Sequence, residues 1–73
     1  MKTVEIFTEY ITLGQLLKLT GVIGNGAEAK SFLAENMCQL NGEDENRRGR
    51  KIRPGDVVKF PSGLEVTLTA KAD

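Results

Sequence analysis

The sequence contains no histidine, no tryptophan and only one cysteine. Histidine is the commonest general acid/base and the commonest metal ligand, so the usual catalytic and zinc sites cannot be assembled from this chain. The serines have no imidazole to activate them as nucleophiles. We therefore predict that the protein is not an enzyme and has no metal site, no cofactor and no small-molecule substrate.

The single cysteine, Cys38, also excludes an intramolecular disulfide, on which secreted domains of this size usually depend. The first residues lack the apolar core of a signal peptide, and no apolar run approaches the roughly 18 residues of a membrane helix. These absences predict a cytoplasmic protein that does not contact a membrane. We expect Cys38 itself to be a buried strand residue and not a reactive thiol.

One short stretch of the sequence is strongly basic. Ten basic residues balance ten acidic ones over 73 residues, yet half of the basic residues lie in residues 47–53, which contain no acid. We call residues 47–53 the basic segment. The neutral total therefore hides a basic patch on an acidic body, which favours docking one face on a nucleic acid. The length fits a single domain, residues 1–73, without a deep pocket.

Local patterns predict the first elements. Residues 2–7 alternate as a strand does. Thr12 with Gln15 three residues later forms a capping-box pattern and predicts the start of a first helix, which Gly21 is expected to end.

A second helix is predicted from Asn25, which we expect to cap it with Glu28 as its capping-box partner. Asn36 is expected to end this helix in the left-handed conformation. One face of the helix is apolar at helical spacing, and its residues are Ala29, Phe32, Leu33 and Met37.

Short strands follow, with Cys38 and Leu40 before an Asn41-Gly42 turn and further strands at 57–60 and 64–69. Acidic residues 43–45 are placed in a loop, where three adjacent side chains seldom converge on one cation. The resulting fold class is α+β, with two helices packed on a small, mostly antiparallel sheet.

The basic segment is the strongest candidate for a functional site. A planar guanidinium donates paired hydrogen bonds to phosphate oxygens. Lys30 extends the candidate site, because its small helix neighbours would let a nucleic-acid backbone approach and the helix N-terminus offers free N–H groups. The predicted RNA-binding residues are Asn25, Lys30, Arg47, Arg48, Arg50, Lys51 and Arg53. The open alternative is a solvated charged loop neutralised by acidic residues 43–45.

Gly21 and Gly24 frame a sequence similar to the GXXG loop of a KH domain. The two middle residues of that loop should be polar and exposed, whereas Val22 and Ile23 are apolar and are expected to be buried. A helix stop and a turn are the simpler interpretation.

Residues 12–60 resemble the S-four RNA-binding domain, also called the alpha-L motif. Three stretches carry the resemblance: residues 25–33 as the second helix, N-M-C-Q-L-N-G at 36–42, and R-P-G-D-V-V at 53–58. Strands at 2–7 and 64–69 would flank this core. The resemblance extends to the stand-alone, ribosome-associated YbcJ/YaaA-type members of the family.

The resemblance implies that the protein binds structured RNA, with ribosomal RNA or the ribosome as the expected partner, by phosphate and shape recognition. Gly26 stands where the family often has an arginine and Asn25 where it has a serine, so the basic segment is expected to carry more of the contact. The protein is expected to be a monomer. The alternative function is a protein-interaction module that docks the basic segment on acidic partner surfaces.

Overall fold

The computed structural model describes residues 2–71, which form two helices and seven strands. The helices are α1 (Leu13–Leu19) and α2 (Glu28–Glu35). The strands are β1 (Lys2–Ile6), β2 (Ile11–Thr12), β3 (Cys38–Leu40), β4 (Glu43–Glu45), β5 (Lys51–Ile52), β6 (Val57–Lys59) and β7 (Glu65–Ala70).

Five of the strands form one sheet in the order β1-β7-β6-β3-β4. Strands β1 and β7 are parallel, and the remaining neighbours are antiparallel. Strands β2 and β5 form a separate antiparallel pair, with Ile11 opposite Ile52. The predicted α+β class with a mostly antiparallel sheet is confirmed.

The core lies between the helices and one face of the large sheet. Helix α1 buries three leucines, Leu13, Leu16 and Leu17. Inward-facing strand residues complete the core, and they include Ile6, Cys38, Leu40, Val58, Phe60, Val66 and Leu68. Every second side chain of β6 and β7 is buried, as the two-residue period of a strand requires, and this leaves Lys59 on the outer face of the sheet.

Both ends of α1 are set by local hydrogen bonds. The Gln15 N–H donates to Thr12 Oγ1 over 3.2 Å, and the Thr12 N–H donates to Gln15 Oε1 over 2.8 Å, which completes the predicted capping box. At the other end Val22 N–H donates to the Leu17 carbonyl and Gly21 N–H to the Lys18 carbonyl. This pair of bonds is the Schellman motif, with Gly21 at a φ of 78°.

Helix α2 starts later than predicted. The Asn25 side chain accepts from the Ala27 N–H over 2.9 Å, while the Glu28 N–H donates to the Asn25 backbone carbonyl. The predicted Asn25–Glu28 capping box is therefore wrong. Gly26 lies in a turn before the helix, in keeping with the weak helix propensity of glycine.

The end of α2 also differs from the prediction. Asn36 is extended, with a φ of −133°, and both its N–H and its side-chain amide donate to the Phe32 carbonyl. The left-handed conformation predicted for Asn36 is wrong. Met37 lies beyond the helix and is 47% exposed, so its predicted place on the apolar face is also wrong.

Residues 43–45 form a strand, not a loop. Asn41 and Gly42 both have a positive φ, of 52° and 87°, as a two-residue hairpin turn requires, and they return the chain along β3 as β4. The acidic residues of β4 lie at the edge of the sheet, where charge discourages pairing with another chain.

Two smaller predictions are confirmed. Ile23 is buried and Val22 packs against the core, so the loop between the helices has no exposed polar centre of the KH type. Cys38 is fully buried, and burial raises the pKa of its thiol to about 11, which keeps it in the unreactive protonated form.

Candidate nucleic-acid interface

The basic segment is fixed to the start of α1 through its backbone. The Leu13 N–H donates to the Arg50 carbonyl and the Gly14 N–H to the Arg48 carbonyl, each over 2.9 Å. The first N–H groups of a helix have no acceptor within the helix, so these carbonyls provide their partners. Pairing of Thr12 with Lys51 continues the attachment into β2 and β5. These backbone bonds attach the segment to α1 and β2 and do not involve its charged side chains.

Gly14 allows this close approach. A Cβ atom at Gly14 would lie 3.4 Å from the Arg48 carbonyl oxygen and 3.5 Å from the Ala29 Cβ. A larger side chain would therefore press on both the basic segment and α2. Glycine at this position brings Arg48 beside the two helices.

Two arginines of the segment are paired with Glu45. Arg47 Nε lies 3.0 Å from Glu45 Oε2 and Arg47 Nη2 lies 3.1 Å from Oε1, while Arg50 Nε lies 3.7 Å from Oε1. The hydrogen bond from the Arg47 side chain is the main cause that lowers the pKa of Glu45. The sequence left open whether acidic residues 43–45 neutralise the basic segment. Glu45 does neutralise Arg47 and Arg50.

Arg48 instead faces a hollow between the helices, which we call the α1–α2 hollow. Its lining residues are Thr12, Gly14, Gln15, Lys18, Gly26, Ala29, Arg48 and Gly49. Arg48 also borders an adjoining hollow beside α2, the α2 hollow, which is lined by Lys30, Leu33, Ala34, Asn46 and Arg48. Three cations therefore border one continuous surface, and within residues 2–71 no carboxylate lines either hollow.

Lys18 is the functional candidate that the sequence analysis missed. It lies on the exposed side of α1, three residues after Gln15, and both side chains line the α1–α2 hollow. Their spacing of three residues places both side chains on one polar face of a helix. The sequence does not show that Arg48 lies beside this face.

Asn25 lies apart from these cations. It lines a hollow on another side of α2 together with Glu28 and Glu35. The N–H groups of Ala27, Glu28 and Ala29, which were expected to be free for phosphate, are bonded within the preceding turn. A contact between Asn25 and RNA stays a prediction.

The last two cations of the segment lie over the ring of Tyr10. Lys51 Nζ is 5.0 Å and Arg53 Cζ is 5.9 Å from the ring centroid. Both distances are within the range of cation–π attraction. The basic segment is thus divided into an arginine pair at Glu45, Arg48 at the α1–α2 hollow, and two cations at Tyr10.

Hydrogen bonds join the two ends of the loop that carries the basic segment. Asn41 exchanges bonds with Val57, through its N–H to the Val57 carbonyl and its Oδ1 from the Val57 N–H. Asp56 accepts from Asn41 Nδ2 over 3.0 Å and from the Arg53 N–H over 2.8 Å. We call Asn41, Gly42, Asp56 and Val57 the corner. The L-N-G and P-G-D stretches of the sequence therefore meet in space and close the loop that carries the basic segment.

No helix within residues 2–71 is both long enough and apolar enough to cross a membrane.

Comparison with known proteins gives consistent results. A family model described as S4 domain matches residues 4–68. The chain is 55% identical over 57 residues to the "Probable ribosome maturation protein RlbA" of Bacillus subtilis (strain 168), covering 78% of this chain and 80% of that protein. It is 38% identical over 61 residues to the "Putative RNA-binding protein YbcJ" of Escherichia coli (strain K12), covering 84% and 86%. The chain therefore belongs to the S4 domain family.

Proposed function

We propose that this protein binds structured RNA, with ribosomal RNA as its target, by holding phosphates at the α1–α2 and α2 hollows. One observation carries the proposal: Lys18, Lys30 and Arg48 line two adjoining hollows that share Arg48, and within residues 2–71 no carboxylate lines either hollow. Cations around shallow hollows attract the negatively charged backbone of RNA. Family membership and the names of the two relatives support RNA as the partner.

Ribosomal RNA is the finer part of the proposal. It is supported by the name of the Bacillus subtilis relative, a ribosome maturation protein. Binding of this kind requires no catalytic group and no cofactor, and a cytoplasmic monomer would suffice.

Alanine replacement of Arg47, Arg48 and Arg50 together tests whether the basic segment carries this binding, and Arg48→Ala alone tests the hollows. We expect the triple arginine variant to lose most of its binding to ribosomes in a pelleting assay and to ribosomal RNA in a gel shift. The matched control replaces Lys2, Lys59 and Lys71 with alanine. This removes the same amount of positive charge from residues that line neither the α1–α2 hollow nor the α2 hollow. The control should bind far better than the arginine variant at equal salt.

Salt dependence separates RNA binding from the alternative of a protein-interaction module. The logarithm of the binding constant should fall linearly with the logarithm of salt concentration, by about 0.7–0.9 per phosphate contact. Wild-type binding by the arginine variant, or capture of proteins without RNA, would contradict the proposal.

A further inference from the structure

Tyr10 is an aromatic side chain at the surface beside the basic segment. It lies between β1 and β2 and is 38% exposed. Exposed aromatic rings are the platforms on which proteins stack the unpaired bases of single-stranded nucleic acid. The surroundings of the ring decide whether it serves this purpose.

Two cations accompany the ring. Lys51 and Arg53 lie over it, and within residues 2–71 neither is within 4.0 Å of a carboxylate oxygen. They differ in this from Arg47 and Arg50, which Glu45 neutralises. A nucleotide offers both groups that this site could bind, because its phosphate can draw the cations away from the ring while its base stacks in their place.

The ring is also continuous with the proposed RNA surface. A hollow beside Tyr10, the tyrosine hollow, is lined by Thr8, Tyr10, Ile11, Thr12 and Gln15. Thr12 and Gln15 line the α1–α2 hollow as well. An RNA strand held at Arg48 and Lys18 can therefore continue along the start of α1 to Tyr10.

We propose that Tyr10 stacks on an unpaired base of the bound RNA while Lys51 and Arg53 contact the phosphates beside that base. The inference rests on the proposed function and adds a substrate class: RNA with an unpaired nucleotide next to a helix. A fully paired duplex would reach the hollows at Arg48 but would have no base to offer Tyr10.

The test compares two RNA probes, a fully paired duplex and the same duplex with an unpaired bulge. Tyr10→Leu should weaken binding of the bulged RNA roughly tenfold, the scale of a base–aromatic stack, and leave duplex binding nearly unchanged. Tyr10→Phe keeps the ring and should bind both probes as wild type does. Phe7→Leu is the matched control, since Phe7 is 82% exposed with Lys71 Nζ 5.0 Å from its ring centroid but lines none of the three hollows.

A direct measurement on the unmodified protein accompanies the variants. The chain contains one tyrosine and no tryptophan, so the tyrosine ring signals in a proton NMR spectrum belong to Tyr10 alone. Stacking should move these signals upfield when the bulged RNA is added, but not when the duplex is added. Unchanged ring signals at saturation with bulged RNA would overturn the inference, even if Tyr10→Leu failed to fold.

The outcomes separate this inference from the proposed function. If both probes bind, Arg48→Ala weakens both and Tyr10→Leu weakens neither, the stacking site is wrong and the RNA surface stands. If neither probe nor ribosomal RNA binds, the proposed function is wrong and the stacking site is wrong with it.

Discussion

The corner and the basic segment are neighbours in the chain but are built in opposite ways. In the corner, side chains bond to the chain itself: Asn41 bonds to Val57 and to Asp56, and Asp56 also bonds to the Arg53 N–H. In the basic segment, the backbone bonds to α1 and all the charged side chains are exposed, although Glu45 pairs with two of them and Tyr10 lies beneath two others. The corner uses its polar side chains to stabilise the fold. The basic segment keeps its charged side chains at the surface, where a partner can reach them.

The corner carries part of the family resemblance, whereas Lys18 and Arg48 of the proposed RNA surface lie outside the stretches that carry it. The Asn-Gly turn and Asp56 are recognisable in the sequence because each answers a demand of the backbone, a positive φ or an N–H without a partner. Arg48 and Lys30 answer no such demand. This division is established if variants in the corner lower stability and variants in the basic segment lower RNA binding.

The largest effect is expected in the corner. Asp56→Ala removes two hydrogen-bond acceptors and should lower the free energy of unfolding by about 2 kcal/mol. Urea unfolding followed by circular dichroism measures the change. Asp56→Asn retains one acceptor oxygen and should lose about half as much. Full stability in Asp56→Ala would show that the corner does not hold the fold together.

Arg48→Ala should have the opposite pattern, with stability unchanged and RNA binding reduced roughly tenfold, or about 1.4 kcal/mol. The slope of log Kd against log salt should fall by about 0.7–0.9, the value for one lost phosphate contact. Lys59→Ala is the control, because Lys59 lies on the sheet face away from the helices. Equal losses in Arg48→Ala and Lys59→Ala would mean that only net charge matters.

Glu45→Gln should have the smallest effect. It frees Arg47 and Arg50 from their carboxylate and should raise RNA affinity roughly two- to fivefold, most clearly at low salt. Arg47 is 69% exposed, so water and salt screen the pair and its contribution to stability is small. A loss of affinity would show instead that Glu45 positions the arginines for RNA.

The same pair predicts a pH dependence. Because the folded protein lowers the pKa of Glu45, the pair stabilises the fold above the ordinary pKa of a glutamate, about 4.3, and this stabilisation is lost as the pH falls through the lower, folded-state pKa. Acid titration of stability should therefore differ between wild type and Glu45→Gln above that range, and the difference should vanish below it.

Local signals in the sequence predicted those parts of the fold that depend on few residues. The capping box at Thr12 and the end of α1 at Gly21 form within one turn of chain, so their patterns were sufficient. The start of α2 was misread because Asn25 and Glu28 match a cap pattern whose hydrogen bonds the intervening turn uses differently.

Other features required the folded chain. Pairing of Ile52 with Ile11 joins distant parts of the sequence, and neither two-residue strand has a period that could be recognised. The arrangement of Lys18, Lys30 and Arg48 depends on this pairing, since it places Arg48 at the helices. The sequence could therefore identify the basic segment but not divide it among Glu45, the hollows and Tyr10.

The attachment of the basic segment to α1 by carbonyl and N–H groups has a consequence for evolution. Backbone groups are the same in every residue except proline, so exposed side chains at 47, 48 and 50 can be exchanged with little cost to folding. The hydrogen-bonded frame stays constant while mutation varies the surface it presents. Such a loop can acquire a new specificity one substitution at a time, with each intermediate still folded.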